Sequence, residues 1–422
     1  MLKIIYPVCC GVDVHKKFIV STIATTEKNI TTYQTKKFST FTNDLLLFKE
    51  WLSSSNCNVV CMESTGKYWI PVFNVLEDSC SITVANPKYI KNIPGKKTDK
   101  RDSLWIADLH KHGLVRGSFI PPKPVRELRD LLRYRFKLVN VRSSEKNRFQ
   151  NSLTVSNLMI SSVVSDTFGK SASAIIKYAM AHPDKKDVDF TEFLHKSMLA
   201  KADEINASMQ GVISKEQNSK MSVCLKHFDY IEKCIEQLDK TVALLASEFE
   251  PQIQVVATAP GITSKSATSI ISEIGVDMSA FEDAKHLCSW AGLTPQNNES
   301  AGKKKSVHVS RAGVYIKPLL VQCANAAIKD KDCPYFYHRY QSIKKRRGHK
   351  RAIIAVARML LTCVYNMLLK NEAFDSSLYE VYLQSGNKEI ETPVATSIEH
   401  AILFLKAQGF VVTKELEMVA SP

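Results

Sequence analysis

Long apolar runs are missing from this chain: no stretch reaches the roughly 18 consecutive apolar residues that a membrane-spanning helix requires. The short apolar run near the N-terminus ends in Asp13 with no signal-peptide cleavage pattern behind it, which predicts a cytosolic protein with no membrane partner. Cysteine itself is not scarce at 11 residues, but ordered cysteine spacing is. No C-x-x-C pair and no Cys/His spacing of a zinc site occurs, so neither a disulfide framework nor structural zinc is expected. The cysteines read instead as small buried hydrophobes, for example Cys57 and Cys61 flanking a strand. Acid is in deficit too: 57 Lys plus Arg stand against 42 Asp plus Glu, a formal charge of +15. That balance makes a polyanion the leading partner, because Lys and Arg neutralise phosphates and release their counterions. The basic residues cluster at 88–101, 126–148, 303–305 and 344–351. One such run would read as a solvated face; four favour nucleic acid.

Against this basic background, four carboxylates are the most informative residues: Asp13 in GVDVHKK, Glu63 in VVCMESTGKY, and Asp99 with Asp102 in KKTDKRDSLWIADL. Asp13 lies in an apolar, β-branched run and Glu63 closes another, so both fall in or at the ends of buried strands. A lone ionised carboxylate there costs several kcal/mol unless a cation pairs with it, and two in similar settings point to a shared cation. Asp99 and Asp102, three apart at a helix start, project from one helical face. Oxygen-only donors of this kind suit one or two magnesium ions acting on phosphodiesters.

Strand-like runs at 5–14, 18–24, 31–38, 59–62 and 82–85, with helix-like stretches at 43–52, 69–78 and 98–112, describe a mixed α/β sheet in the order of a ribonuclease-H-like fold. Pro121, Pro122 and Pro124 mark a boundary. Residues 125–150 then read as a basic helix with Arg126, Arg129 and Arg133 on one face, a candidate nucleic-acid surface. Residues 152–217 are polar and mostly helical in pattern, with no interpretable motif, and have the character of an insertion. From Cys224 through Phe228, Ile231, Ile235, Leu238, Val242 and Leu245 to Phe249, spacings of four and three alternate as in a coiled-coil seam. Such a seam serves packing within its own domain, self-association, or pairing with the basic helix before it. APGITSKS reads as a helix-hairpin-helix turn, with Thr263 where a second glycine is usual; plain helix packing explains the same turn. A Gly-containing basic loop is expected at 294–311, carrying Lys303, Lys304, Lys305 and Arg311. Helices are expected at 281–290, 314–328, 335–345 and 350–369, with Arg346 and Arg347 as further phosphate contacts and one more helix at 397–407.

GVDVHK, MESTGKYW, NPKYI with KTDKRDSLWIADL, RELRDLLRYR, APGIT, SWAGLTPQNNESAGKKK and VSRAG, in that order, resemble the DEDD transposases of the insertion-sequence 110 family. The resemblance runs from Asp13 to about Arg358. It implies a RuvC-like DEDD domain over 1–118, a helical and coiled-coil region over 119–250, a helical transposase domain over 251–370 and a tail over 371–422. It implies that Asp13, Glu63, Asp99 and Asp102 hold the metal, and that Ser300 of NESAG is a nucleophile, with Ser306 and Ser310 as rivals. The serine oxygen would bond to a DNA phosphorus as the bond to the leaving 3′-oxygen breaks, conserving a 5′-phosphoserine link for rejoining. Donor and target DNA, a bridge RNA that reads sequence by base pairing, and a dimer or tetramer with a composite site are the implied partners. A bacterial cytoplasm, with attachment to the nucleoid when DNA is bound, is the implied location. A metal-dependent structure-specific nuclease of the Holliday-junction resolvase type accounts for the acids alone. A non-catalytic basic scaffold accounts for neither acids nor serine.

Overall fold

The computed structural model describes residues 2–90, 99–185, 187–295, 298–300, 303–306, 309–377 and 402, and of 88, 89, 298–300 and 303–306 the backbone alone. It divides into two compact units, Met1–Pro122 and Lys123–Pro422. The division falls in the proline-bearing segment, where missing N–H donors and restricted backbone angles disfavour regular structure.

In the first unit, β1 (Val8–Val14), β2 (Phe18–Glu27), β3 (Ile30–Ser39), β4 (Val59–Glu63) and β5 (Ser81–Ala85) form one sheet in the order β3-β2-β1-β4-β5. The first three strands are antiparallel neighbours, whereas β4 runs parallel to β1 and β5 parallel to β4. Parallel pairs need crossovers, which α1 (Thr42–Ser54) and α2 (Trp69–Leu76) supply. α3 (Pro87–Ile90) and α4 (Asp99–Lys111) follow. This is a ribonuclease-H-like sheet, and the rest of the chain is largely helical.

Alternation along β1 sorts its residues between two faces. Cys10, Val12 and Val14 join Ile19, Ile23, Val60, Met62 and Val84 in a core closed by Leu45, Phe48 and Leu52 of α1 and Val72 and Leu76 of α2. Cys9 turns the other way, with Ala24, toward Ala107 of α4. The helix comes very close on this face because β1 carries Gly11 there. A Cβ on Gly11 would lie 2.3 Å from both the Ala107 nitrogen and the Ser103 oxygen. The Thr22 and Ser103 hydroxyls, 2.7 Å apart, share a buried hydrogen bond beside this contact. All 11 cysteines are free, and burial pushes the Cys9 and Cys61 thiols up to about 12, in keeping with their reading as inert core residues.

In the second unit, α5 (Lys123–Val155) leads through α6 (Lys170–Ala181) and α7 (Ala202–Ser208) to α8 (Lys215–Ala246). α5 and α8 lie antiparallel, with Arg135 paired to Asp239 and Arg142 to Glu232. Cys224, Ile231, Ile235 and Val242 of the heptad seam are buried, so the seam serves packing within the unit. The segment expected to be polar and mostly helical holds a core of its own: Leu158, Ile160, Ile175, Ile176, Phe190 and Ile205 cluster with Phe149 and Leu153 of α5. Its apolar residues lack a single period because short helices and turns contribute them, which hides them from pattern reading.

α9 (Glu250–Ala257) and α10 (Ser264–Ile274) flank the Pro260-Gly261 turn, and Thr263 caps α10 by accepting from the Ser266 N–H. Gly261, at φ +74°, is needed for packing: a Cβ there would meet the Cys323 oxygen at 2.4 Å. α11 (Ala284–Trp290) is shorter than its pattern predicts. The expected loop after it contains a hairpin, β6 (Asn298–Ser300) with β7 (Lys303–Ser306). α12 (Ile316–Ala327), α13 (Tyr335–Arg347) and α14 (His349–Lys370) complete the unit. α14 is long and apolar enough to cross a membrane, yet Ala352, Val356, Leu360 and Val364 along it are fully buried, as befits a core helix. The helix expected at 397–407 and most of the tail lie outside the described residues.

Gly11→Ala should lower stability by about 3 kcal/mol, since rigid backbone rather than a flexible side chain opposes the added methyl. Thermal unfolding of the full chain measures it; an unchanged midpoint would mean that α4 is not seated on β1.

Candidate active site

β1 and β4 pair in parallel with Val12 beside Met62, so continuing the register by one residue sets Asp13 next to Glu63. Neighbouring strands are about 4.8 Å apart, and both acids fall on the face covered by α4. That helix begins with Asp99 and Asp102 in its first turn, where negative charge is favoured by the helix dipole. The Gly11 contact draws this helix against β1 and so brings Asp99 and Asp102 toward Asp13, whereas Glu63, at the end of β4, lies outside the close donor group around Asp13.

Asp13 is the most enclosed of them, 8 % exposed. Burial pushes its carboxyl above the ordinary range, the charges of Asp102 and Asp99 add to the rise, and His15 opposes it by charge and by hydrogen bonding. His15 Nε2 lies 3.1 Å from Asp13 Oδ2 and 3.5 Å from Asp99 Oδ1. Donor atoms of Asp13, His15 and Asp99 all fall within 4.8 Å of one another. Sequence reasoning passed over His15, which directly follows β1 at the turn toward β2. Carboxylate oxygens crowded at mutual repulsion, with one nitrogen among them, fit a divalent cation.

Ser300 ends β6 and is paired with Lys303 of β7, at the closed end of the hairpin. Its side chain, and those of Lys303, Lys304 and Lys305, lie outside the described residues. Two Ala-Gly pairs pinch the hairpin's base. A Cβ on Gly292 (φ +69°) would meet the Ala312 oxygen at 2.5 Å, and one on Gly313 (φ +68°) would meet the Ala291 oxygen at 2.0 Å. Lys317 Nζ stitches the same place, donating to the carbonyls of Ser310 (2.6 Å) and Gly292 (3.4 Å). This supplies the physical reason for the Ala-Gly steps in SWAGL and SRAG. The rival Ser310 sits beside the pinch, its hydroxyl accepting from the Ala312 N–H, and Ser306 ends β7.

The basic helix is less available than its charge promises. Arg129 donates to the backbone oxygens of Ser272 and Glu273 at the end of α10, where a cation meets the negative end of the dipole. Burial pulls its guanidinium down to about 10 against the favourable charge of Glu273. Arg133 grips Glu273 with two bonds of 2.8 and 2.7 Å and lies over the Tyr315 ring. A fork filled in this way has little left for phosphate. Arg135, Arg142 and Arg148 are likewise paired, with Asp239, Glu232 and Glu145. Arg126 is half-buried near the start of α5. Arg311 and the run 344–351, including Arg346 and Arg347, are exposed. Basic side chains in the first turn of α14 oppose its dipole, so helix stability alone does not account for them.

Two family matches cover much of the chain: a DEDD-type transposase of the IS110 group over residues 10–157, and a transposase of the IS116/IS110/IS902 family over residues 253–341. The first contains the carboxylates, the second the hairpin. The chain belongs to the IS110 family of transposases. It is 31% identical over 157 residues to the pilin gene-inverting protein of Moraxella bovis, covering 35% of this chain and 47% of that one. It is 26% identical over 141 residues to an uncharacterized protein of insertion element IS110 from Streptomyces coelicolor, 33% of each chain. With a putative transposase of Sinorhizobium fredii it shares 21% over 252 residues, 57% of this chain and 51% of that one. The chain thus spans about half the length of the curated relatives it matches, or less. The Thermus thermophilus RuvC structure aligns over 26% of this chain and 99% of its own, at 10% identity and a TM-score of 0.22. At that score the likeness adds nothing to the strand order.

A raised carboxyl pKa makes the folded state bind protons more readily than the unfolded one, so stability from Asp13 is present at acid pH and lost as pH rises through its folded value. Asp13→Asn in chelator should therefore melt higher than wild type at neutral pH, and the advantage should vanish as acid protonates the wild-type carboxyl. Melting curves across pH test this; an Asn variant that melts lower at neutral pH would contradict it.

Proposed function

We propose that this chain is the transposase of an insertion sequence, a site-specific DNA recombinase. The observation that carries the reading is the convergence of carboxylates at one end of a ribonuclease-H-like sheet, in a chain of this family. A divalent cation held by Asp13, Asp99, Asp102 and Glu63 would supply charge neutralisation at the phosphate, and magnesium suits the oxygen donors. Asp13, Glu63, Asp99 and Asp102 bind that cation, and Ser300 attacks the phosphodiester, retaining the 5′-phosphate as an ester until a 3′-hydroxyl displaces it. The hairpin pinch supports Ser300 as the nucleophile, because a nucleophile must be held where its target will lie.

A nuclease of the resolvase type would use the acids alone. The relative named for inverting a pilin gene favours recombination, since inversion requires rejoining and hydrolysis does not. Base pairing of a bridge RNA with donor and target DNA selects the sites, and the protein holds nucleic-acid backbone through Arg311, Lys303, Lys304, Lys305, Arg346 and Arg347. The chain works in the bacterial cytoplasm, on the nucleoid when DNA is bound.

The working assembly is a homo-oligomer, a dimer or tetramer. With the α8 seam occupied by α5, a second set of apolar residues remains outside. Tyr134, Val141 and Val155 on α5 and Val223, Tyr230 and Leu244 on α8 are exposed and recur at multiples of seven, the repeat that a further helix pair recognises.

Ser300→Ala should abolish covalent protein–DNA adducts and strand exchange by more than about a thousandfold while DNA binding persists. Adducts resolved on denaturing gels decide it, and wild-type adduct yield from the variant would remove Ser300 from the chemistry. Tyr230→Glu combined with Leu244→Glu should shift the chain toward monomer in sedimentation without lowering its melting temperature. An unchanged sedimentation profile would free this face of the role.

A further inference from the structure

We propose that His15 is itself a ligand of the cation held by Asp13 and Asp99, and that its nitrogen tunes the site toward manganese over magnesium. The inference rests on the metal reading of the acids given above.

Three observations carry it. First, a single atom, His15 Nε2, faces two carboxylates, 3.1 Å from Asp13 Oδ2 and 3.5 Å from Asp99 Oδ1. An N–H can point well at one oxygen only, and an unprotonated nitrogen offers nothing to either. A cation among the three donors satisfies all of them. Second, adjacent donors around a six-coordinate ion with bonds of about 2.1 Å are roughly 3 Å apart, so the two spacings from His15 need only slight contraction. Third, the residue is held in place. Its backbone N–H donates to the Phe18 oxygen at 3.0 Å, closing the turn between β1 and β2, and its ring rests on Phe18 with centroids 4.7 Å apart. It directly follows β1, two residues beyond Asp13.

Selectivity follows from donor chemistry. Magnesium prefers oxygen and keeps its waters, whereas imidazole suits transition ions, among which manganese stays closest to magnesium in size and coordination number. One nitrogen in place of a water therefore strengthens manganese binding more than magnesium binding. The plain alternative is that His15 merely hydrogen-bonds Asp13 and orients it.

Manganese binding to the full chain, followed by electron paramagnetic resonance with magnesium as competitor, separates these roles. Wild type should show nitrogen modulation in the electron spin-echo signal of bound manganese. It should also prefer manganese by at least about tenfold. His15→Ala should lose the modulation and about tenfold in manganese affinity, with magnesium affinity within about twofold of wild type. His15→Asn keeps a donor toward Asp13 and should not restore manganese affinity. Persistent modulation in His15→Ala, equal losses for both metals, no loss at all, or rescue by Asn would each overturn the ligand role while leaving the acid site standing. A wild-type chain that binds neither metal, or an Asp13→Asn variant that binds both as well as wild type, would overturn the acid site and this inference together.

Discussion

The close approach of α4 to β1 is the constraint on which the candidate site depends. A helix carrying an ordinary side chain against a strand stays roughly 10 Å from the sheet. With hydrogen alone at Gly11, the Ser103–Ala107 turn of α4 settles onto the strand's backbone. Asp99 and Asp102, at the start of the same helix, are thereby drawn toward Asp13, two residues further along β1. The electrostatic cost appears at Asp13, whose carboxyl is raised by burial and by its acidic neighbours. An arrangement that raises a carboxyl in this way is unfavourable without a cation and becomes favourable with one, which is the ordinary trade between stability and function at a site.

The N-terminal fold was legible because its strands are β-branched runs separated by amphipathic helices, and the observed elements differ from the expected ones by a few residues at their ends. The elements that carry the acids were legible for the same reason: each acid closes or follows a pattern with an assignable face. His15 was not, since a polar residue beside a turn gives no periodic signal. Gly11 was not either, because its importance lies in what packs on it from 96 residues away, between Gly11 and Ala107. The 298–306 hairpin escaped detection because its strands are three and four residues long, too short for alternation to register, and polar throughout.

Net charge proved a poor guide to surface. The +15 balance stands, but much of the positive charge on α5 is neutralised by α8 and α10, through pairs that fix how these helices meet. Sequence lists a helix's charges without saying which are already answered. Here a bidentate grip on a nearly buried Glu273 turns Arg133 from a phosphate contact into a structural clamp.

The reciprocal Ala-Gly pinch concentrates intolerance to substitution at one crossing of the chain. Among the described residues, the two arms meet again beyond the clamp at the Pro295–Val309 bridge and in the β6–β7 pairing. At the root, a single methyl group on either glycine would prise the two arms apart. Two hydrogen atoms, one on each glycine, thus set how closely the arms that lead into and out of the hairpin can run.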